Sequence, residues 1–526
     1  MIALGIPQHQ RIFNIHQRSP DRLLGEFSMT NDRPAAPRIF APLGHDLSDF
    51  VVSDCSDCDC ACSPSAHVIS RDKVSFNAPT LYSAKFKKIG IHKQFSACYN
   101  PDFSRPVLIN TSALECLLHF NQPNSLQSVP HSWLETWEAQ LVDSFLRDSI
   151  RFGLIVSDSS KLSACQNRGA NLTAWIHITD ICNLRCIYCY LPHKNRNMSL
   201  QTGYAAIDAA LRSAHEHQYR NVTLKYAGGE PLIRFPLIVQ LHQYACAIAS
   251  RQNITIDGVL LSNGTLLSRR MARTIQEMKI RLVISLDGLG EFHDRQRYYV
   301  KRKGTSSEVV KAVGIALENG LTPHISITVT GQSINGLPDL LIWILERDLP
   351  FSLNFCRTSP LADLSLDLSL ESEQIISGMK KAYEVIEKYL PRRTLVGSLL
   401  DKANLAVPHE RTCGVGSNYM VFDYQGNIAK CQSQRDNPVT TVHADDPLAL
   451  VRLDQHGIQN PTVTEKEGCR SCEWKYWCTG GCPLETYQAT GSYYARSPLC
   501  RIYQALFPEL IRLEGLRLLK YVHLEE

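Results

Sequence analysis

Three closely spaced cysteines follow a short apolar segment, and they constrain the chain more than any other feature. The segment Ala174–Thr179 is rich in apolar and β-branched residues and predicts a buried β-strand. The sequence Cys182-Asn-Leu-Arg-Cys186-Ile-Tyr-Cys189 comes directly after it. Three thiolates can hold three irons of a [4Fe–4S] cubane and leave the fourth iron without a protein ligand. A zinc loop and three unrelated buried thiols are the alternatives for this spacing taken alone.

Short β-branched segments alternate with amphipathic ones from about 171 to 357. The predicted strands are Ala174–Thr179, Val222–Tyr226, Gly258–Leu261, Arg281–Leu286, His324–Val329 and Phe351–Phe355. The predicted helices lie near 201–218, 233–250, 268–278, 306–319 and 336–347. This alternation is typical of a parallel sheet, open or curled into a partial barrel, with a site at the carboxyl ends of the strands.

Polar motifs follow the next three predicted strands. They are Gly228-Gly229-Glu230-Pro231, Ser262-Asn263-Gly264-Thr265 and Ser285-Leu-Asp287-Gly288, the last with Arg297 nearby. The glycines allow a ligand to approach the backbone, and Glu230 can accept hydrogen bonds from an ammonium group. Each motif taken singly is also an ordinary polar turn at a strand end.

Seven further cysteines occur late in the chain with regular spacing. They read Cys413-x12-Gly426-x4-Cys431, then Cys469-x2-Cys472-x5-Cys478-x3-Cys482, then Cys500. The chain has 19 cysteines and no export signal, so metal or redox chemistry is favoured over disulfides. A pair of zinc knuckles is the structural alternative.

Together these motifs resemble the radical S-adenosylmethionine (SAM) superfamily over about 171–330 and its SPASM extension over about 410–505. The resemblance implies an α/β fold with a partial (β/α)6 TIM-like barrel and a cysteine-rich SPASM domain. It also implies an enzyme that cleaves SAM reductively to a 5′-deoxyadenosyl radical, which abstracts hydrogen from unactivated carbon. The implied cofactors are the SAM-binding [4Fe–4S] cluster, SAM, and one or two auxiliary [4Fe–4S] clusters.

The resemblance also assigns residues, although it names no catalytic one. Cys182, Cys186 and Cys189 would bind the SAM cluster. The implied SAM contacts are Gly228, Gly229 and Glu230 at the methionyl amine, Tyr188 near the adenine, and Ser262, Ser285 and Arg297 at the ribose and carboxylate end. One auxiliary cluster would use Cys469, Cys472, Cys478 and Cys500, and the other Cys413, Cys431 and Cys482. The second has no obvious fourth cysteine, and Cys356 is a speculative donor.

The predicted organisation has six segments: a poorly ordered tail (1–78), a small α+β winged-helix-like unit (79–160), the barrel (171–360), a helical connector (361–409), the SPASM domain (410–510) and a C-terminal tail (511–526). In the small unit, Leu134, Trp137, Leu141 and Phe145 recur at helical spacing and predict one buried face. The unit resembles the leader-peptide recognition element of ribosomal-peptide maturases, which adds a peptide to a sheet edge. A plain structural domain is the alternative.

The other cysteines carry weaker signals. Cys55, Cys58, Cys60 and Cys62 form a polar, cysteine-biased linker, with metal binding as the alternative. Met29 is an alternative start. Cys98, Cys116, Cys165 and Cys246 lack partner spacing and are predicted to be buried structural thiols.

A maturase of a ribosomally made peptide is the favoured function, by cross-linking, epimerisation or excision. Sulfatase-maturing relatives carry an aspartate base after the cysteine that corresponds to Cys431, whereas this chain has Gln432, an amide that cannot take a proton at neutral pH. A small-molecule SPASM enzyme, a sulfatase-type maturase and a noncatalytic iron–sulfur protein are the alternatives. The expected partners are a precursor peptide and a flavodoxin- or ferredoxin-type reductant.

Charge and hydropathy limit the expected partners and cellular location of the chain. The net charge of +4 comes from scattered residues without a basic stripe, so nucleic acid is not an expected partner. No uninterrupted apolar window reaches the roughly 18–20 residues of a membrane span, and no secretion signal begins the chain. A cytoplasmic location is therefore expected.

The cysteine triplet generates the first test. Reconstituted protein should cleave SAM to 5′-deoxyadenosine, and Cys186→Ala should abolish this cleavage because two thiolates do not hold the cubane in place. Chromatographic quantification of 5′-deoxyadenosine measures it. Continued cleavage by the variant would contradict the assignment.

Overall fold

The structure is a computed structural model that describes residues 35–41, 81–100, 102, 105–157, 171–357, 371–406 and 408–522. The predictions for Met29, for the Cys55–Cys62 segment and for Cys165 fall outside the described residues. The described residues include the other cysteines singled out above.

The N-terminal unit contains two small antiparallel sheets with short helices. Its elements are β1 (Ile39–Phe40), β2 (Leu81–Ala84), β3 (Lys87–His92), β4 (Phe95–Tyr99), β5 (Val107–Asn110), α1 (Thr111–Leu118), β6 (Asn124–Ser125), α2 (His131–Thr136), α3 (Ala139–Arg151) and β7 (Ile155–Ser157). The strand orders are β1-β5-β4-β3 and β6-β2-β7. The core between sheets and helices includes Ile109, Leu117, Phe120 and Phe145.

Two predictions for this part of the chain are corrected. Residues 35–41 lie in the predicted tail, yet β1 pairs with β5, and the Asn110 side chain donates to the Ala36 carbonyl at 2.7 Å. The predicted single amphipathic helix is broken, because Trp137 and Glu138 adopt extended conformations between α2 and α3. Leu134 and Leu141 are consequently exposed, whereas Phe145 is buried.

A parallel sheet of six strands forms the centre of the molecule. Its elements are β8 (Asn171–Thr179), α4 (Leu200–Glu216), β9 (Asn221–Gly228), α5 (Phe235–Arg251), β10 (Thr255–Ser262), α6 (Arg269–Glu277), β11 (Arg281–Ser285), α7 (Glu291–Asp294), α8 (Ser306–Glu318), β12 (His324–Val329), α9 (Leu337–Leu345) and β13 (Phe351–Phe355). The six predicted strands are confirmed. They lie side by side in chain order, the order that a partial barrel requires. The polar motifs therefore meet at one edge of the sheet.

The segment Pro231–Arg251 is long and apolar enough to cross a membrane, with a mean hydropathy of 1.2, judged by length and composition only. In this structure Leu237, Ile238 and Leu241 of its helical part are buried in the core shared with the sheet. A Cβ at Gly203 on α4 would lie 2.5 Å from Leu241 Cδ2, so the helices α4 and α5 pack closely. The apolar composition of α5 is thus that of a core helix.

The C-terminal part extends the sheet. It contains α10 (Ser372–Tyr389), β14 (Tyr419–Phe422), β15 (Asn427–Ala429), β16 (Thr440–Thr441), α11 (Pro447–Leu453), α12 (Lys475–Cys478), α13 (Pro483–Thr490) and α14 (Cys500–Val522). Strand β14 pairs in parallel with β8, with Tyr419 opposite Thr173, and β15 and β16 follow antiparallel. This pairing holds Cys413 and Cys431, which flank β14 and β15, near the strand that precedes the cysteine triplet.

The predicted C-terminal tail over 511–526 is wrong for its described part. Helix α14 continues to Val522, and Leu513 on it is fully buried. Arg517 donates to Glu514 at 2.7 Å in a buried pair. A Cβ at Gly515 would lie 2.7 Å from Ile91 Cδ1, so the helix packs on the N-terminal unit. The C-terminal helix of the described chain is therefore packed against the N-terminal unit.

The Leu513→Ala substitution tests this packing. It should lower the free energy of unfolding by about 2–5 kcal/mol because it leaves a cavity in the core. The Leu453→Ala control, at a leucine that is 71% exposed, should change it by no more than about 0.5 kcal/mol. Urea unfolding followed by tryptophan fluorescence measures both. Equal effects of the two substitutions would show that α14 is a loosely attached tail.

Candidate active site

The cysteine triplet lies on the loop after β8, and each of its sulfurs has an N–H donor beside it. The Leu184 amide donates to Cys182 Sγ at 3.4 Å, and the Leu191 amide donates to Cys189 Sγ at 3.5 Å. Arg297 Nη1 lies 3.9 Å from Cys186 Sγ. Hydrogen bonds to sulfur are a feature of iron–sulfur sites, where they orient the thiolates and tune the cluster. The donor set therefore fits a cluster.

The environment of the three thiols favours their neutral form in the absence of metal. Burial raises the pKa of Cys182 to about 12, and it raises the pKa of Cys186 and Cys189 as well. A coordinating thiol must lose its proton, so loading of this site releases protons and becomes easier as pH rises.

Gly228 and Gly229 are required for contact between two backbone segments. A Cβ at Gly228 would lie 2.4 Å from the Thr179 carbonyl oxygen, and one at Gly229 would lie 2.3 Å from that of Ile181. The Gly229 amide donates to the Thr179 carbonyl at 2.6 Å. The glycines thus admit the cysteine loop, and the predicted contact of both residues with SAM stays a prediction.

Glu230 is fully buried beneath the turn that follows β10. Its carboxylate accepts hydrogen bonds from the Leu232 amide at 2.9 Å, from Ser262 Oγ at 2.8 Å and from the Asn263 amide at 2.7 Å. Burial raises the pKa of Glu230 to about 7, although these bonds favour the carboxylate. The side chain predicted to meet the methionyl amine is therefore enclosed and ties two loops together.

Arg297 is paired with the carboxylate of Asp287, for which the sequence predicted no role. Its Nε donates to Asp287 Oδ2 at 2.7 Å, and the Tyr188 hydroxyl donates to the same oxygen. The guanidinium carbon lies 5.3 Å from the centre of the Tyr188 ring. Burial disfavours the charge of Arg297, but Asp287 holds its pKa well above the ordinary value. The planar fork predicted to bind the SAM carboxylate is thus engaged by Asp287.

The remaining predicted SAM contacts lie at neighbouring strand ends. Ser262 is buried, and its Oγ accepts from the Gly264 amide at 2.9 Å, whereas Ser285 is half-buried at the end of β11. Asn263 belongs to the same motif but was not predicted as a site residue; its Nδ2 lies 3.8 Å from Cys182 Sγ and donates to Asn183 Oδ1 at 3.0 Å. Its position directly after a predicted strand, next to Ser262, was the available signal.

The seven late cysteines interact in two sets, and the role of each set as the ligands of one cluster stays a prediction. Electrostatic interactions link Cys413, Cys431 and Cys482 to one another. They likewise link Cys469, Cys472, Cys478 and Cys500. We call these sets the three-thiol group and the four-thiol group. Backbone amides of Val415, Ser433 and Gly480 donate to Cys413, Cys431 and Cys478, the same pattern as in the triplet.

The arrangement differs from that of a zinc site. Within the described ranges, no three His, Cys, Asp or Glu side chains converge as the ligands of a single ion do. Four zinc ligands lie about 2.0–2.3 Å from one metal.

The other cysteines have distinct surroundings. Cys98 and Cys116 are buried as predicted, but Cys246 on α5 is exposed, which corrects its assignment as a buried thiol. Cys356, the speculative fourth donor, lies just beyond β13 and interacts electrostatically with Asp287, Arg357 and Glu485. Its role as a ligand stays a prediction.

The central region of the chain is similar to a known protein family. Residues 176–343 match the model of the Radical SAM superfamily. The chain is 24% identical over 396 residues to the Fe-coproporphyrin III synthase of Methanosarcina barkeri, covering 67% of this chain and 93% of that protein. It is 21% identical over 358 residues to a cysteine-type anaerobic sulfatase-maturating enzyme of Clostridium perfringens, covering 63% of this chain and 94% of the relative.

A solved structure shares the fold. It is described as native anSMEcpe with bound AdoMet and Cp18Cys peptide, and it superposes with a TM-score of 0.54 at 19% identity. The match covers 66% of this chain and 99% of that structure.

The Gly229→Ala substitution tests the backbone contact at the triplet. The new methyl group meets the Ile181 carbonyl, and this overpacking should cost about 1–3 kcal/mol and displace the cysteine loop. SAM cleavage should fall about tenfold or more. The control is Gly314→Ala in α8, where a Cβ meets nothing within 4 Å. Unchanged cleavage in Gly229→Ala would show that the loop does not depend on this contact.

Proposed function

We propose that this chain, a radical SAM protein of the SPASM maturase type, modifies a ribosomally made precursor peptide. When bound, its [4Fe–4S] cluster and SAM supply hydrogen abstraction from carbon that acid–base chemistry cannot activate. The observation that carries the assignment is the thiol triplet after β8, with an N–H donor beside each sulfur.

The residues of the chain have distinct proposed tasks at this site. Cys182, Cys186 and Cys189 hold the cluster. Asp287 keeps Arg297 charged and fixed near Cys186 Sγ, so a positive charge lies beside the bound thiolate. Asn263 performs a similar orienting task at Cys182. The two late thiol groups hold auxiliary clusters.

The N-terminal unit is the proposed site of peptide capture. Strand β3 is an end strand of its sheet in the described chain, so one edge is open to a further strand. A groove of about 560 Å³ adjoins this strand, and its lining includes Phe86, Lys87, Lys88, Leu118 and Trp474. Glu473 also lines the groove and pairs with Lys87, so Lys88 is the lysine offered to a ligand. Apolar side chains beside Lys88 suit a leader segment that combines apolar and acidic residues. The peptide named with the anSMEcpe structure supports a peptide substrate for this fold.

Two other functions are distinguished by particular observations. The relationship to an Fe-coproporphyrin III synthase favours small-molecule modification as the second candidate, and that function requires no peptide affinity in the groove. Sulfatase maturation is disfavoured because Gln432, at the position of the base, accepts a hydrogen bond from the Tyr419 hydroxyl at 2.9 Å and cannot take a proton at neutral pH.

The test screens short peptides encoded near this gene as candidate precursors. With a chemical or flavodoxin-type reductant, the protein should form 5′-deoxyadenosine and change the peptide mass. The Cys478→Ala variant should keep part of the SAM cleavage and lose the peptide product, because its thiol belongs to the four-thiol group. The Cys246→Ala control should behave as wild type, since this thiol is exposed on α5. Mass spectrometry reports the product.

Peptide capture is checked in the same system. Lys88→Glu should weaken binding of the peptide about tenfold through like-charge repulsion of an acidic leader, measured by fluorescence anisotropy. A wild-type protein that binds no peptide and modifies none, while it cleaves SAM, would favour the small-molecule function.

A further inference from the structure

Lys466 is a buried cation for which the described residues contain no carboxylate partner. Its residue is 1% exposed, and its Nζ donates to the Thr479 carbonyl at 2.8 Å. Two other buried cations do have carboxylates: Lys430 pairs with Asp454 at 2.8 Å, and Arg435 pairs with Asp180 at 3.0 Å. Lys466 therefore needs a different source of negative charge.

The groups that interact electrostatically with Lys466 are thiols. They are Cys469 and Cys478 of the four-thiol group, and Cys413 and Cys482 of the three-thiol group. Hydrogen bonds support this placement. The Cys469 amide donates to the Lys466 carbonyl at 3.2 Å, and the Thr479 carbonyl that binds Lys466 Nζ also accepts from Thr412 Oγ1, next to Cys413, at 3.3 Å. Lys466 therefore lies near both groups. Lys402, in contrast, interacts with Cys413 and Cys431, which both belong to the three-thiol group.

The surrounding backbone is shaped to admit this side chain. Gly480 has a φ of +77°, and a Cβ there would lie 2.6 Å from Lys466 Cδ and 2.9 Å from its Nζ. Thr479 also has a positive φ, of 49°, which is uncommon for a non-glycine residue and orients its carbonyl toward the ammonium group. Left-handed conformations at two consecutive residues leave the space that the lysine fills.

An isolated ammonium group in a protein interior is costly unless opposite charge compensates it. Neutral thiols supply no such charge, whereas metal-bound thiolates do. We propose that Lys466 is the shared positive charge of the two auxiliary sites, compensated by the metal-bound thiolates of both groups. This inference rests on the proposed assignment of the late cysteines to two clusters.

The shared charge has an electrical consequence. A fixed positive charge favours the reduced, more negative state of a nearby cluster and raises its reduction potential. One lysine near two sites acts on both potentials together, so loss of its charge lowers both. Lys466 is a positioning residue that acts through the clusters and touches no substrate.

The test measures potentials in the full chain without the SAM cluster. The parent carries Cys182→Ala, Cys186→Ala and Cys189→Ala, so its EPR signals come from the auxiliary sites. Lys466→Met should shift the midpoint potentials of both signals to lower values in an EPR-monitored redox titration. Lys466→Arg, which keeps the charge, should leave both near the parent values. Lys402→Met should lower only one midpoint potential, that of the signal that Cys431→Ala removes.

A shift in neither signal, or in one alone, with Lys466→Met would overturn the inference. If that variant binds no auxiliary cluster, retention of both clusters by Lys466→Arg supports the shared charge, and loss in both variants establishes a purely structural lysine. A parent with no auxiliary signals contradicts the cysteine assignment itself. A parent with two signals that Lys466→Met leaves unshifted contradicts only the role of Lys466.

Discussion

The site depends on contact between the end of β9 and the loop that carries the cysteine triplet. Gly229 donates its amide to the Thr179 carbonyl, and Glu230 donates its amide to that of Ile181 at 2.9 Å. Side chains at Gly228 and Gly229 would collide with that backbone. Because the two segments meet, Glu230 is carried into the interior, where it fixes the turn holding Asn263. One contact between backbones thus orders the ends of three strands.

Compensated charge is the second organising feature. Asp287 is fully enclosed, and it accepts hydrogen bonds from Arg297, from the Tyr188 hydroxyl and from the Thr328 amide at 2.8 Å. Such a buried pair is strongly destabilising to break, because the remaining partner stays charged in the interior. The pair therefore holds Arg297 near Cys186. Lys466 meets the same requirement with thiolates where Arg297 uses a carboxylate.

The sequence predicted the central sheet well because its strands are continuous apolar segments separated by amphipathic helices. The local spacing of the cysteines also indicated the triplet and the two late thiol groups, whose roles as cluster ligands stay predictions. The sequence did not predict which distant segments pair. The addition of β14 beside β8 joins Tyr419 to Thr173, and no local pattern specifies that register. The enclosure of Glu230 and the engagement of Arg297 by Asp287 likewise depend on which loops meet. The break at Trp137 and Glu138 lacks a glycine or proline signal and reflects packing in the small unit.

The central claim is that Cys182, Cys186 and Cys189 hold a cluster with one iron open to SAM. Low-temperature EPR of anaerobically reconstituted, reduced protein tests it most directly, with the signals compared before and after SAM is added. The account predicts a [4Fe–4S] signal that changes when SAM binds and that is missing when the three cysteines are replaced by alanine. The account would be contradicted by protein whose iron content and spectrum show no such cluster, or by spectra in which SAM changes no signal and the triple replacement removes none.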